Sequence, residues 1–278
     1  MKFYKMHGIG NDYIYFDCMK DRLENVSELA IRLSDRHFSI GGDGIILLCP
    51  SKTADVKMRM FNADGSEGKM CGNGIRCIGK LAHDLDYVKG EECTVETLSG
   101  IKKLRLHIGS DGKVNAARVD MGAAILNGEK IPSTFKGEKI VSQPLEVDKK
   151  IYPVTLVSMG NPHCVVFCDD IDNLEIEKIG VKFENHPAFP ERINTEFIRV
   201  IGKNHIKMRV WERGSGETLA CGTGACASAV AAVLNGVCER NEDITVSLLG
   251  GDLTVRWTDE TVLMYGAATL AFVGEIEL

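Results

Sequence analysis

The feature that most constrains this chain is an internal repeat at a spacing of 150 residues. Val56-Lys57-Met58-Arg59-Met60-Phe61 matches Ile206-Lys207-Met208-Arg209-Val210-Trp211. At the same offset Glu67 meets Glu217, Cys71 meets Cys221, Gly72 meets Gly222 and Gly74 meets Gly224. Upstream, Gly10-Asn11 meets Gly160-Asn161. A register held over such distances predicts two structurally related halves, and the period is too long for a solenoid. The 278 residues suit two domains of ordinary size.

Each repeat opens on a strand pattern, basic residues alternating with apolar ones. A polar, glycine-rich turn follows: Asn62-Ala63-Asp64-Gly65-Ser66 in one half, Glu212-Arg213-Gly214-Ser215-Gly216 in the other. Then come the cysteine and a helix. Ile75, Ile78, Leu81, Ala82 and Leu85 lie at helical spacing, while the second helix, from Ala225 to Leu234, is almost all small or apolar and stops before Gly236. A helix with small residues on every face is surrounded by protein. The fold class expected is α/β (α+β): two similar, pseudo-symmetric domains, each a curled mixed sheet around a central helix, with the site in the cleft between them. Residues 1–117 with 266–278 are expected to carry Cys71, and residues 118–265 Cys221. The matched strands beyond the helices run at an offset of 151, and residues 127–150 read as an insertion with turns.

Each cysteine is expected at a helix N-terminus, where backbone N–H groups and the helix dipole favour a thiolate. The glycines of Cys71-Gly72-Asn73-Gly74 and Cys221-Gly222-Thr223-Gly224 let backbone donors approach an anion. Two such ends facing one substrate carboxylate would hold its α-carbon between two sulfurs, the layout for moving a proton from one face to the other. Cys18, Cys49, Cys93, Cys238, Cys77 and Cys226 read as packing residues, and the same bland reading is open for any buried thiol. A zinc or thiol-redox site is the other alternative, with His163, Cys164 and Cys168 as donors. The C-x5-C and C-x4-C spacings are not those of structural zinc, and Cys164–Phe167 reads as a strand. No metal is expected.

Polar residues near the matched strand ends are candidates to ring the same cleft. Asn11 and Asn161 are mates, Asn62 matches Glu212, and Asn194 falls opposite Gly44. Arg213 has the fork that clamps a second carboxylate. His163 and Glu212 are placed to tune or relay protons. No G-x-G-x-x-G between strand and helix and no P-loop appears, and Gly41-Gly42-Asp43-Gly44 is neither. A net charge of −6 with scattered basic residues argues against a nucleic-acid partner. No segment is apolar for long enough to span a membrane, and the first residues lack a signal-peptide core, so a cytoplasmic protein with reduced thiols is expected.

These strings, with His7-Gly8-Ile9-Gly10-Asn11-Asp12 and Gly160-Asn161-Pro162-His163, resemble the diaminopimelate epimerase family, and the resemblance runs to Gly266-Ala267-Ala268. It implies a cofactor-independent homodimeric epimerase interconverting LL- and meso-diaminopimelate for lysine and cell-wall precursors, its last strand crossing back to the first domain. Carried over, Cys71 and Cys221 form the acid–base pair. Gly72, Asn73, Gly222 and Thr223 bind the carboxylate at the reacting centre. Asn11, Asn62, Asn161, Asn194, Glu212 and Arg213 hold the rest of the substrate, and His163 and Glu212 influence the cysteines. Another cofactor-independent racemase of the same architecture, such as proline racemase, is the near alternative. The chain departs from the family at Gly44, where some members have glutamine, at Ser39 and Ala267, and at Phe272, where some use a dimer-contact tyrosine.

Overall fold

A computed structural model describes residues 1–277. The chain forms two compact units: Met1–Asp120 with the segment beginning at Tyr265, and Met121–Met264.

The first unit contains β1 (Lys2–Gly8), β2 (Asn11–Asp17), α1 (Val26–Ser34), β3 (Gly44–Cys49), β4 (Val56–Asn62), β5 (Glu67–Gly68), α2 (Gly72–Asp84), β6 (Glu92–Thr97) and β7 (Gly100–Ile108). β8 (Val114–Gly122) carries the chain into the second unit. There follow β9 (Gln143–Val147), β10 (Lys150–Ser158), β11 (Pro162–Phe167), α3 (Ile176–Glu184), β12 (Asn194–Gly202), β13 (His205–Glu212), β14 (Gly216–Glu217), α4 (Gly222–Leu234), β15 (Asp243–Leu248) and β16 (Gly251–Trp257). β17 (Val262–Ala267) leads back, and β18 (Thr269–Glu275) pairs antiparallel with β1.

The two units share one pairing scheme. β2 runs parallel to β3 with Ile14 opposite Ile45, and β11 runs parallel to β12 with Cys164 opposite Thr195, the same stagger. β3–β4 and β12–β13 are antiparallel, β4–β6 and β13–β15 parallel, β6–β7 and β15–β16 antiparallel. Val56 faces Val95, whereas Ile206 faces Val246, so the one-residue change of offset falls between helix and following strand.

In each unit the strands surround one helix. α2 is buried from Gly72 through Ala82 and touches β1, β2, β3, β4, β6 and β7. α4 is buried from Gly224 through Ala232 and touches β10, β11, β12, β13, β15 and β16. The Ala-Val-Ser composition of α4 suits that enclosure, since no face is left to bear charge. α2 holds two buried cations, each given acceptors: Arg76 donates to Gly72 O and Ala267 O at 3.1 Å, and Lys80 to Asp84 at 2.7 Å. Asn235 ends α4 and Gly236 follows at φ 74°, a left-handed value that favours glycine.

Two helices were not read from the sequence. α1 and α3 also lie at the repeat offset, packed outside their sheets. Val26, Ala30 and Leu33 of α1 are buried against Ile14, Phe16, Ile45, Leu47 and Phe61. Ile176, Gly180 and Phe183 of α3 lie at the corresponding turns, and the Trp211 ring fills the space over Gly180, where a Cβ would stand 2.5 Å from it. The expected insertion holds a 3-10 turn, Gly128–Lys130, and β9, which pairs with β10.

The departure at Gly44 has a backbone cause here. Gly44 faces Asn62 across β3–β4 at φ 154°, and a Cβ on it would lie 2.0 Å from the Phe61 carbonyl oxygen.

Candidate active site

In both units the cysteine is the residue that caps the central helix. Cys71 has extended backbone angles, φ −126° and ψ 121°, and its sulfur accepts from Gly74 N at 3.3 Å. Cys221, at φ −117° and ψ 107°, accepts from Gly224 N at 3.4 Å. A capping side chain satisfies one of the orphan N–H groups of the first turn, a task usually given to Ser, Thr, Asn or Asp. Filling it with sulfur leaves the thiol at the positive end of the helix.

In the first unit Cys71 is half-buried and donates through Sγ to Asn11 Oδ1 at 3.3 Å. The Asn11 amide is turned by Asp43, whose Oδ2 accepts from Asn11 Nδ2 at 2.7 Å and from Asp12 N at 3.1 Å. Arg36 bridges Asp43 and Asp12, at 2.9 and 2.7 Å, and Lys5 closes the group on Asp12 at 2.5 Å. Burial pushes the Asp12 carboxyl up, but hydrogen bonds from Arg36 and Lys5 outweigh it and hold the group below its ordinary value. The glycine cluster Gly41–Gly44 thus contributes an aspartate to the site, which the sequence reading passed over. Asn62 ends β4, and its amide donates within its own turn to Ser66 Oγ at 3.0 Å. Gly72 and Asn73 are the first two helical residues, both buried.

In the second unit Cys221 is 5% exposed. Its sulfur lies 3.6 Å from Thr223 Oγ1, which accepts from Asn161 Nδ2 at 3.3 Å. Asn161 Oδ1 is 3.1 Å from His163 Nε2, and His163 Nδ1 is 2.7 Å from Glu196 Oε1. Glu212 bonds Thr218 Oγ1 at 2.5 Å and also reaches Cys221. Asn194 ties strands to turn, donating to Pro162 O at 2.8 Å and accepting from Arg213 N at 2.9 Å. The Arg213 guanidinium donates to Glu191 O at 2.9 Å. Thr218 and Glu196 were not foreseen. Glu196 had a visible signal, since a charge inside the apolar run of a strand must be paired.

The thiol chemistry of Cys221 differs from the sequence expectation. Gly224 N and Thr223 do act to lower its pKa. Burial, then the nearby Glu212 and Glu196 carboxylates, outweigh them and push the thiol well above its ordinary value. Burial also raises the Glu212 carboxyl, and the hydrogen bonds from Thr218 and Cys221 only partly offset it. A carboxyl with raised affinity for a proton, touching a thiol, is placed to exchange a proton with it.

A sequence model of diaminopimelate epimerase matches residues 3–126 and 155–271. The diaminopimelate epimerase of Acetivibrio thermocellus is 54% identical over 280 residues, covering all of this chain and 99% of that one. The chain belongs to the diaminopimelate epimerase family. A second relative of the same name, from Methanococcus maripaludis, is 50% identical with both chains fully covered. Among solved structures, a probable proline racemase from Agrobacterium radiobacter has the same fold, with a TM-score of 0.70 at 14% identity over all of this chain and 93% of that one. Membership makes the chain an enzyme of the isomerase class, an epimerase, and ranks the zinc and thiol-redox reading below it. Among the described residues no group of three His, Cys, Asp or Glu side chains is arranged to hold a metal ion. No helix among them is long and apolar enough to cross a membrane.

Proposed function

We propose that this enzyme interconverts LL-2,6-diaminopimelate and meso-2,6-diaminopimelate, in the supply of lysine and cell-wall precursors, by moving the α-proton between Cys71 and Cys221. One cysteine, as thiolate, removes the α-proton. The other, as thiol, protonates the opposite face. The observation that carries this reading is the pair of cysteines capping equivalent helices in the two units, each with its own polar surroundings. The two thiols supply both acid and base, so the reaction as proposed draws on no cofactor.

An α-hydrogen of an amino acid is a far weaker acid than a thiol, so the transition state must be stabilised by fixed donors. The backbone N–H groups at Gly72, Asn73, Gly222 and Thr223 would bind the carboxylate beside the reacting carbon, where negative charge develops. One such donor is worth about a hundred- to thousandfold in rate. Asn11, Asn62, Asn161, Asn194, Glu212 and Arg213 would hold the remaining ammonium and carboxylate groups, and His163 and Glu212 would tune the thiols. The test is incubation of the purified enzyme with LL-diaminopimelate. The meso form should accumulate to equilibrium and should do so after chelator treatment; enzyme that leaves the LL form untouched would reject the substrate assignment.

A homodimer is the assembly we propose. Leu270, Phe272 and Val273 of β18 are exposed apolar side chains that a second copy would cover. Light scattering should give twice the 30.5 kDa chain mass, and a monomeric mass would reject the dimer.

A further inference from the structure

The repeat shows where the two cysteines are served differently. Asn11 and Asn161 are mates, and each has its amide turned by a partner. For Asn11 that partner is a single carboxylate, Asp43. For Asn161 it is a buried pair, His163 and Glu196, both fully inaccessible to solvent. The mates of His163 and Glu196 in the first unit are Tyr13 and Ile46. Space for Glu196 comes from Gly224, where a Cβ would stand 2.6 Å from Glu196 Oε1; at its mate Gly74 the neighbour is the Ile46 methyl, 2.5 Å away. One fold position is thus apolar in one half and carries a carboxyl group in the other.

The hydrogen bonds fix the state of this pair. Asn161 gives its N–H to Thr223, so it presents Oδ1 to His163 and requires a hydrogen on Nε2. The 2.7 Å contact between Nδ1 and Oε1 then holds one more proton. Whether that proton is drawn on the nitrogen or the oxygen, the pair has no net charge. Glu196 Oε2 is buried without a hydrogen-bond partner among the described residues. Such an oxygen is costly to keep in an apolar sheet without a compensating role.

We propose that Glu196 is a positioning residue for Cys221: it fixes the ring of His163 and, through Asn161 and Thr223, the hydrogen-bonding surroundings of the sulfur. This rests on the two-base reading for what the sulfur does. Glu196 touches no reacting atom; the chain of contacts runs Glu196–His163–Asn161–Thr223–Cys221. Asp43 performs the same task for Cys71 in one step.

The experiment compares Glu196→Leu with Glu196→Gln, each checked for native circular dichroism and melting. Leucine removes the partner of Nδ1. Glutamine keeps one, because its amide donates to Nδ1 while Nε2–H stays on Asn161. A partner that orients a histidine is worth about ten- to a hundredfold at metal sites; Glu196→Leu should lose about that much kcat/KM, and Glu196→Gln should recover most of it. The second readout is alkylation by iodoacetamide, followed at each cysteine by peptide mapping. In Glu196→Leu, Cys221 should alkylate several-fold faster, since the chain of contacts over the sulfur is loosened. Cys71, in the other unit, should alkylate at the wild-type rate. Equal changes at both cysteines, or none at Cys221, would overturn the proposal. The alkylation arm does not require turnover, so it stands apart from failure of the two-base reading, which active alanine variants of the cysteines would reveal.

Discussion

Alanine at either Cys71 or Cys221 is expected to leave a folded protein that has lost epimerisation in both directions. Every turnover needs a base on one face and an acid on the other, so neither cysteine can be spared in either direction. A positioned acid or base contributes about a hundred- to ten-thousandfold, and the loss in kcat/KM should lie in the upper part of that range. The fold should survive. The substitution removes one capping acceptor per helix, at Gly74 N or Gly224 N, a cost of about 1 kcal/mol. That is small beside the stability of a folded domain. Either variant keeping more than a tenth of wild-type activity, with native melting, would contradict the assignment.

The largest effect on stability is expected at Gly44. Glutamine there would need its Cβ 2.0 Å from the Phe61 carbonyl oxygen. The obstacle is backbone on the paired strand, so no rotamer change relieves it. The φ of 154° adds strain for any residue with a side chain. β3 and β4 would have to part where Gly44 faces Asn62, at a cost of about 3 kcal/mol or more. Urea unfolding measures it, and a Gly44→Gln midpoint equal to wild type would show that the strands adapt. Gly44→Ala should be nearly as damaging, because the clash begins at Cβ.

The repeat made much of this structure legible before any coordinates. Strand, turn and cysteine stand at equal offsets because the same backbone task recurs, and the residues that perform it, cysteine and glycine, have few substitutes. α1 and α3 perform an equal task that many residues can fill. Val26 and Ile176, or Leu33 and Phe183, share only apolarity, so the repeat in them is physical and not literal. What lies behind the two cysteines and their asparagines was obscure. Asp43 lay hidden in a glycine cluster, and Glu196 is a mate of isoleucine. Both act through asparagines whose amide orientation no sequence pattern shows. The same blindness covers the raised proton affinity of Cys221. A helix N-terminus is visible in a sequence and argues for a thiolate, whereas burial beside two carboxylates gathered from distant strands argues the other way and prevails. For Arg213, part of the donor fork is already used on Glu191 O, which the spacing of charges along the chain did not reveal.

The central claim is that two different cysteines handle the two faces of one carbon, and the fate of deuterium tests it most directly. A thiol holds a single exchangeable hydrogen. The cysteine that deprotonates the substrate then carries the hydrogen it took, and returning it regenerates unlabelled substrate. The opposite cysteine begins with a solvent-derived hydrogen and delivers that to the other face. In deuterium oxide at low conversion, mass spectrometry of both diastereomers should therefore find deuterium at the α-position of essentially all product and little in recovered substrate. The same should hold from the LL and from the meso side. Product that retains the substrate's own α-hydrogen would mean one group serving both faces, and would contradict the account.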